Sequence, residues 1–149
     1  MKTAYDFLIR PMEPMDTEAV SRLEQQIFTQ PWSRQGFLYA LEGENLFFVV
    51  QKDAALVAYC GMYCAADEGE IVNVAVKEEC RQEGIGRAML TELLSAAKAA
   101  GLGTVVLEVR VSNQAAIHLY ETLGFTVCGR RKGFYEQPRE DGYVMQLQL

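Results

Sequence analysis

The sequence predicts a mixed α/β domain, and three observations carry that prediction. Three β-rich runs follow one another at 46–51 (LFFVVQ), 55–64 (ALVAYCGMYC) and 70–76 (EIVNVAV), parted by short polar turns. The apolar spacing then changes. Ile85, Met89, Leu93, Ala96, Ala97 and Ala100 recur every three or four residues, the period of an amphipathic helix. From there strand and helix patterns alternate to the C-terminus, giving strands first and helix–strand–helix–strand after. A chain of 149 residues suits one domain, 1–149, with a sizeable core.

Each element has a local reason. Residues 5–10 (YDFLIR) read as a short opening strand. Asp16 stands where a helix N-cap belongs, with Glu18 in the first turn and Leu23, Ile27 and Phe28 on an apolar face, so a helix is expected to about Phe28. Ser33, after Pro31 and Trp32, is a second N-cap candidate for a short helix through about Leu41. The turn at Asp53 predicts a hairpin between the first two β-rich runs, and an acidic loop, ADEGE (66–70), leads into the third. Gly101 and Gly103 end the long helix. TVVLEV (104–109) reads as a strand. Asn113 caps a helix carrying Ala116, Leu119, Tyr120 and Leu123 on one face, stopped by Gly124. FTVCGRR (125–131) and YVMQLQL (143–149) read as closing strands.

Composition narrows the function. The net charge of −6 argues against general nucleic-acid binding, which calls for a basic surface. No apolar run approaches the ~20 residues of a membrane span, and the N-terminus lacks the apolar stretch and cleavage site of a signal peptide, so no membrane partner and a cytoplasmic location are expected. Cys60, Cys64, Cys80 and Cys128 include one C-x3-C pair, but one histidine, His118, does not complete a zinc set, so no metal is expected. Reduced thiols acting as packing residues are the expectation for the cysteines. A monomer is favoured.

One stretch carries more chemistry than its neighbours. CRQEGIGRAML (80–90) places Arg81, Gly84 and Gly86 where the long helix begins. The first N–H groups of a helix lack internal partners and lie at the positive end of its dipole, which suits phosphate oxygens. Glycine lets a pyrophosphate approach the backbone, and Arg81 and Arg87 can add charge-assisted bonds. The stretch is not a P-loop, because Gly-x4-Gly-Lys-Ser/Thr is missing, and Met89 stands where the third glycine of a dinucleotide fingerprint belongs. From these residues alone, a pyrophosphate cradle and an unliganded glycine turn are comparably good readings.

Two motifs decide between them. R81-Q82-E83-G84-I85-G86-R87-A88 resembles the acetyl-CoA motif (Q/R-x-x-G-x-G/A) of the GNAT N-acetyltransferases, and NVAVKEECRQEGIGRAML (73–90) resembles that family's strand–loop–helix unit. LEVRVSNQAAIHLYETLGF (107–125) resembles a second signature of the family, in wording close to its RimI-type branch, the ribosomal-protein S18 alanine N-acetyltransferases. Pro31-Trp32-Ser33 also resembles that branch. The likeness covers most of the chain. It implies a mixed, mostly antiparallel seven-stranded sheet with flanking helices, in which two adjacent parallel strands, here 70–76 and 104–109, splay apart. It implies acetyl-CoA as cosubstrate in that gap, with Val74 and Val76 lining its pantetheine, Arg81, Gln82, Gly84, Gly86 and Arg87 cradling its pyrophosphate, and Asn113 as a further contact. It implies transfer of acetyl to the N-terminal alanine of ribosomal protein S18. The alternatives are an acetyltransferase for a small amine, a non-catalytic acetyl-CoA-binding module and, more remotely, an ATP-binding domain.

The reaction defines the catalytic candidates. An amine attacks a thioester only when neutral, and a protein α-amino group with a pKa of about 8 needs a modest base. Glu108 interrupts the apolar strand VVLEV. Periodicity alone favours a solvent-facing Glu108 paired with Arg110, two residues on; the resemblance reverses this and implies that it faces the gap as the base. Tyr120 falls on the apolar stripe of its helix, as a core tyrosine would, and the resemblance implies that it is the general acid for the leaving thiolate. Trp32 reads as packing, with a place in the wall of the peptide groove as the alternative; His118 reads as a surface residue; and Asp67, Glu68 and Glu70 read as a solvated turn, or as charges that steer a basic peptide. Arg130, Arg131 and Lys132 are expected near the mouth of the site, and Tyr135 resembles a position near the substrate.

Overall fold

The computed structural model describes residues 6–149. Among these residues seven strands form one sheet: β1 (Leu8–Pro11), β2 (Leu46–Lys52), β3 (Ala55–Ala65), β4 (Glu68–Val76), β5 (Thr104–Arg110), β6 (Thr126–Tyr135) and β7 (Glu140–Gln148), in the order β1-β2-β3-β4-β5-β7-β6. Every neighbouring pair is antiparallel except β4 and β5, which are parallel. Helices α1 (Thr17–Ile27) and α2 (Arg34–Glu42) cover one face, closing a core of Val20, Leu23, Phe37, Phe47, Val49 and Tyr59. Helices α3 (Ile85–Ala99) and α4 (Gln114–Thr122) cover the other, where Met89, Leu93, Leu107, Ile117, Phe125 and Met145 are buried together. This is the mixed α/β architecture expected from the sequence.

The caps explain where the helices begin and end. Ser33 Oγ accepts from the Gly36 N–H at 3.1 Å, and Asn113 Oδ1 accepts from the Ala116 N–H at 3.2 Å, as expected of both. Asp16 behaves differently. It precedes α1 but makes no cap bond to that helix. Its carboxylate closes the short 3-10 turn Pro14–Asp16 through the Glu13 N–H and takes both arms of the Arg10 guanidinium at 2.7 and 2.8 Å. Asp16 is itself helical (φ −79°, ψ −18°), the last residue of that turn, so it lacks the extended backbone of an N-cap for α1 and caps the turn instead. At the C-terminus of α3, Gly101 takes φ +90° and the Leu102 N–H returns to the Ala97 carbonyl. The apolar stripe of α3 therefore stops at Ala97, and Ala100 is exposed.

Other boundaries move for identifiable reasons. The opening strand is Leu8–Pro11; Tyr5 lies outside the described residues. Asp53 and Ala54 both take positive φ, the geometry of a two-residue hairpin turn, as the hairpin expectation required. The acidic stretch is not a loop, because Ala65 pairs with Glu68 across a two-residue turn, which places Glu68 and Glu70 on β4. Strand β6 continues to Tyr135 and β7 begins at Glu140, so the strands extend into the polar stretch after Arg131 and meet at a turn, 136–139.

The decisive irregularity lies in β4. Gly61 of β3 faces Asn73 while Met62 faces Ile71, so Val72 is an extra residue, a β-bulge. A bulge bends its strand, and the parallel ladder with β5 ends at the same point, with Ile71 opposite Leu107. Beyond it the two strands separate. Among the described residues no helix is long and apolar enough to cross a membrane.

Candidate active site

The separation of β4 and β5 opens a cleft of about 320 Å³. Asn73 and Val74 line it from β4, Glu108 and Arg110 from β5, Tyr120 from α4 and Tyr135 from β6. Asn113, at the start of α4, also contributes, and Phe28, Thr29 and Gln30 wall it from the link between α1 and α2.

Strand alternation sets the direction of Glu108. Val105, Leu107 and Val109 are buried against α3 and α4, so Glu108 projects from the opposite face. Its partner there is Arg131, whose Nε lies 3.1 Å from Oε2 without the alignment of a hydrogen bond. Arg110 does not pair with it. Arg110 instead contacts Glu140 at 3.3 Å, donates to the Pro138 carbonyl at 2.9 Å and lies 4.5 Å above the Tyr135 ring. Glu70 comes close to Glu108 from β4. Burial, and then the neighbouring Glu108 carboxylate, raise the pKa of Glu70 above the ordinary range.

Tyr120 is held by the end of its helix. Gly124 takes φ +102°, its N–H returns to the Glu121 carbonyl, and the Phe125 N–H returns to the Tyr120 carbonyl at 3.0 Å. Phe125 then packs edge-on against the Tyr120 ring, with centroids 5.9 Å apart. Tyr120 is 8% exposed, and burial above all, then Tyr135 and Cys60, pushes its pKa up to about 12. The hydroxyl is thus a proton donor throughout the neutral range. Tyr135 is also raised to about 12, by burial first and by Glu108 next.

A second cleft of about 380 Å³ adjoins the start of α3 and shares β4 and α4 as walls. Val76, Arg81, Gln82, Gly84, Gly86 and Arg87 line it, together with Ala116 and Leu119 of α4. The first bond within α3 runs from the Ala88 N–H to the Gly84 carbonyl, so the N–H groups of Ile85, Gly86 and Arg87 have no acceptor within the helix. Gln82 and Gly84 take φ +64° and +82°. A Cβ on Gly86 would meet Leu119 at 3.5 Å and Val76 at 3.9 Å, inside the cleft. Arg81 Nε donates to the Val76 carbonyl at 3.0 Å, and Arg87 Nη1 to Thr122 Oγ1 at 2.6 Å. Both guanidiniums are already tied to the cleft walls.

The expected site residues therefore fall into two neighbouring groups. Val74, Glu108, Asn113 and Tyr120 share the first cleft, and the other expected residues share the second. Sequence reasoning missed Asn73, which interrupts IVNVAV as Glu108 interrupts VVLEV, and buried Glu24, a charge on the apolar face of α1. Of the basic residues expected at the mouth, Arg131 reaches Glu108, whereas Arg130 pairs with Asp141 at 2.8 Å. Trp32 packs against Phe37 and Tyr63, and His118 is exposed. All four cysteines are free. Cys60 is buried and Cys64 and Cys80 pack against the core, but Cys128 is exposed on β6 rather than packed.

Comparison with known proteins places this geometry. Residues 17–125 match the model of the acetyltransferase (GNAT) family. Two curated relatives are each 34% identical. One is a putative [ribosomal protein bS18]-alanine N-acetyltransferase of Bacillus subtilis, matched over 95% of both chains. The other is the [ribosomal protein bS18]-alanine N-acetyltransferase of Escherichia coli, matched over 95% of this chain and 97% of its own. The crystal structure of the Escherichia coli ribosomal-protein-S18-alanine N-acetyltransferase superposes with a TM-score of 0.88, covering 95% of this chain and 93% of that one. Ard1 from Thermoplasma volcanium superposes at 0.87 with 26% identity, over 97% and 99%.

Proposed function

The chain belongs to the acetyltransferase (GNAT) family and is an N-acetyltransferase, and on that premise we propose that it acetylates the N-terminal alanine of ribosomal protein S18, with acetyl-CoA as donor. The observation that carries the chemistry is the pairing of Glu108 and Tyr120, from different elements, in one cleft at the β4–β5 splay. The substrate assignment is supported by the names of relatives that match this chain over almost its whole length.

The second cleft fits acetyl-CoA. Phosphate oxygens suit the unpaired N–H groups at the start of α3, and the space that a Gly86 side chain would fill is left clear. Arg81, Gln82, Gly84, Gly86 and Arg87 would hold the pyrophosphate. Val74 and Val76 would line the pantetheine, and Asn113 would add a contact. Acetyl-CoA supplies an acetyl group activated as a thioester. The amine nitrogen forms its bond to the acetyl carbon as the carbon–sulfur bond breaks. Glu108 takes the proton lost by the amine, and Tyr120 gives one to the departing sulfur. Burial keeps the Tyr120 phenol protonated, and Glu108 faces the Arg131 guanidinium.

A thiol-release assay with an acceptor panel tests this reading. An Ala-first hexapeptide is expected to give a higher kcat/KM than the α-blocked peptide, free amino acids or polyamines. A preference for small amines would overturn the substrate, and acetyl-CoA binding without transfer to any acceptor would overturn the activity.

A further inference from the structure

Among the described residues two buried side-chain oxygens have no hydrogen-bond partner, Oδ1 of Asn73 and Oε2 of Glu108. Both residues line the same cleft. They stand on the two strands that part after Ile71 and Leu107. They also project from the same face of the sheet: Glu108 faces away from the α3–α4 core, and Asn73 reaches a residue of α1.

The orientation of Asn73 is fixed from behind. Its Nδ2 donates to Glu24 Oε1 at 3.3 Å, so the amide turns its NH₂ to Glu24 and leaves Oδ1 over. Glu24 is 2% exposed and fully engaged. It also accepts from the Tyr59 hydroxyl and, at 2.8 Å, from the Trp32 N–H. One carboxylate thereby joins α1, the link that walls the cleft, β3 and the bulged strand β4. A buried acceptor held this firmly without a donor is costly, and native structures keep such groups for a reason.

We propose that Asn73 is a second recognition group for the acceptor amine: its Oδ1 accepts a hydrogen bond from the α-amino nitrogen across the gap from Glu108, and Glu24 is the positioning residue that holds the amide for it. This rests on the reading of the chain as an α-amine acetyltransferase. A primary amine carries more than one N–H. With one N–H directed to Glu108 and another to Asn73, the nitrogen lone pair is turned away from both oxygens, into the gap. Asn73 takes no proton. It orients the nitrogen, while Glu108 accepts the proton.

The test uses Asn73→Leu, close in shape, and Asn73→Ala. The readouts are kcat/KM for an Ala-first hexapeptide, the Kd of acetyl-CoA and the Tm. Loss of one hydrogen bond to a charged or reacting group predicts a fall of about 10–100-fold in kcat/KM. The acetyl-CoA Kd should stay within about twofold, because the change is confined to the acceptor side. A kcat/KM within about threefold of wild type, in a folded variant, overturns the proposal, as does an equal loss in acetyl-CoA affinity. If neither variant folds, the side-chain ¹⁵N resonance of Asn73 in the wild-type protein with CoA answers the same question. It should move on titration with the Ala-first peptide and hold still with the des-amino peptide; indifference to both overturns the proposal. A wild-type protein that acetylates no peptide α-amine overturns the underlying functional reading instead, before any variant is compared.

Discussion

Phe125 and Tyr120 are joined twice: the Phe125 N–H donates to the Tyr120 carbonyl at 3.0 Å, and the two rings meet edge-on at 5.9 Å. The backbone bond requires Gly124 between them at φ +102°. The Leu-Gly-Phe that ends α4 is therefore the device that aims the candidate acid. A Cβ at position 124 would be strained by that φ and would meet Leu147 Cδ1 at 3.1 Å. Gly124→Ala is expected to cost roughly 1–2 kcal/mol, read as a Tm lower by about 2–4 °C per kcal/mol, and to lower kcat as Tyr120 shifts. An unchanged melt with unchanged kcat would show that the cap is dispensable.

Tyr120→Phe should separate chemistry from packing. The ring remains against Phe125 and the hydroxyl is lost. General acid catalysis contributes about 10²–10⁴-fold, so kcat should fall by about 10²-fold or more while the acetyl-CoA Kd holds. Equal turnover in the variant removes Tyr120 from the mechanism.

Glu108→Gln removes the proposed proton acceptor and keeps the shape. In the wild type, kcat/KM should rise with pH as the acceptor amine, of pKa about 8, loses its proton. With Tyr120 raised to about 12, its hydroxyl stays protonated across that range and causes no fall on the alkaline side. The variant should be slower by about 10–100-fold at neutral pH, with a flattened or displaced rise. A superimposable pH profile would leave Glu108 as a partner of Arg131 and nothing more.

Gly86→Leu tests the second cleft. The backbone at Gly86 is ordinary helix, and an added Cβ meets only van der Waals contacts, so the fold should tolerate the change. The side chain, however, enters the space assigned to acetyl-CoA. Calorimetry should find acetyl-CoA weakened by about tenfold or more, with the Tm within about 3 °C of wild type. Undiminished affinity would relocate the cofactor.

Much of this was legible because it is local. The stripe from Ile85 to Ala97, the Ser33 and Asn113 caps and the Asp53 hairpin follow from spacing and cap chemistry within a few residues. The two motifs located both clefts. What escaped depends on distant pairings. The Val72 bulge is a mismatch between two strands, and the seating of β7 between β5 and β6 is a matter of topology. Arg131, from another strand, claims Glu108 in place of nearby Arg110. Arg10 of β1 likewise pairs with Asp16, which caps the turn before α1 rather than α1 itself.

That last pair gives a stability prediction. The Arg10 guanidinium, chiefly through its hydrogen bond and against the effect of burial, holds the Asp16 carboxyl below the usual carboxylate range. A carboxylate with a lowered folded pKa contributes stability above its unfolded value of about 3.9 and loses it as the pH falls through the folded value. Asp16→Asn should cost about 1–3 kcal/mol at neutral pH and soften the acid loss of stability below about pH 4. Denaturant melts at pH 7 and pH 3 check this; equal losses at both would assign the effect to shape rather than charge.

The most direct test of the central claim is a single peptide that begins with alanine and carries one internal lysine. Incubated with the protein and acetyl-CoA, it offers an α-amine and an ε-amine in the same molecule, and fragmentation mass spectrometry reads which nitrogen is acetylated. One acetyl group on the alanine nitrogen, with the lysine untouched, is the predicted result. Acetyl on the lysine, or none while acetyl-CoA remains bound, would contradict it.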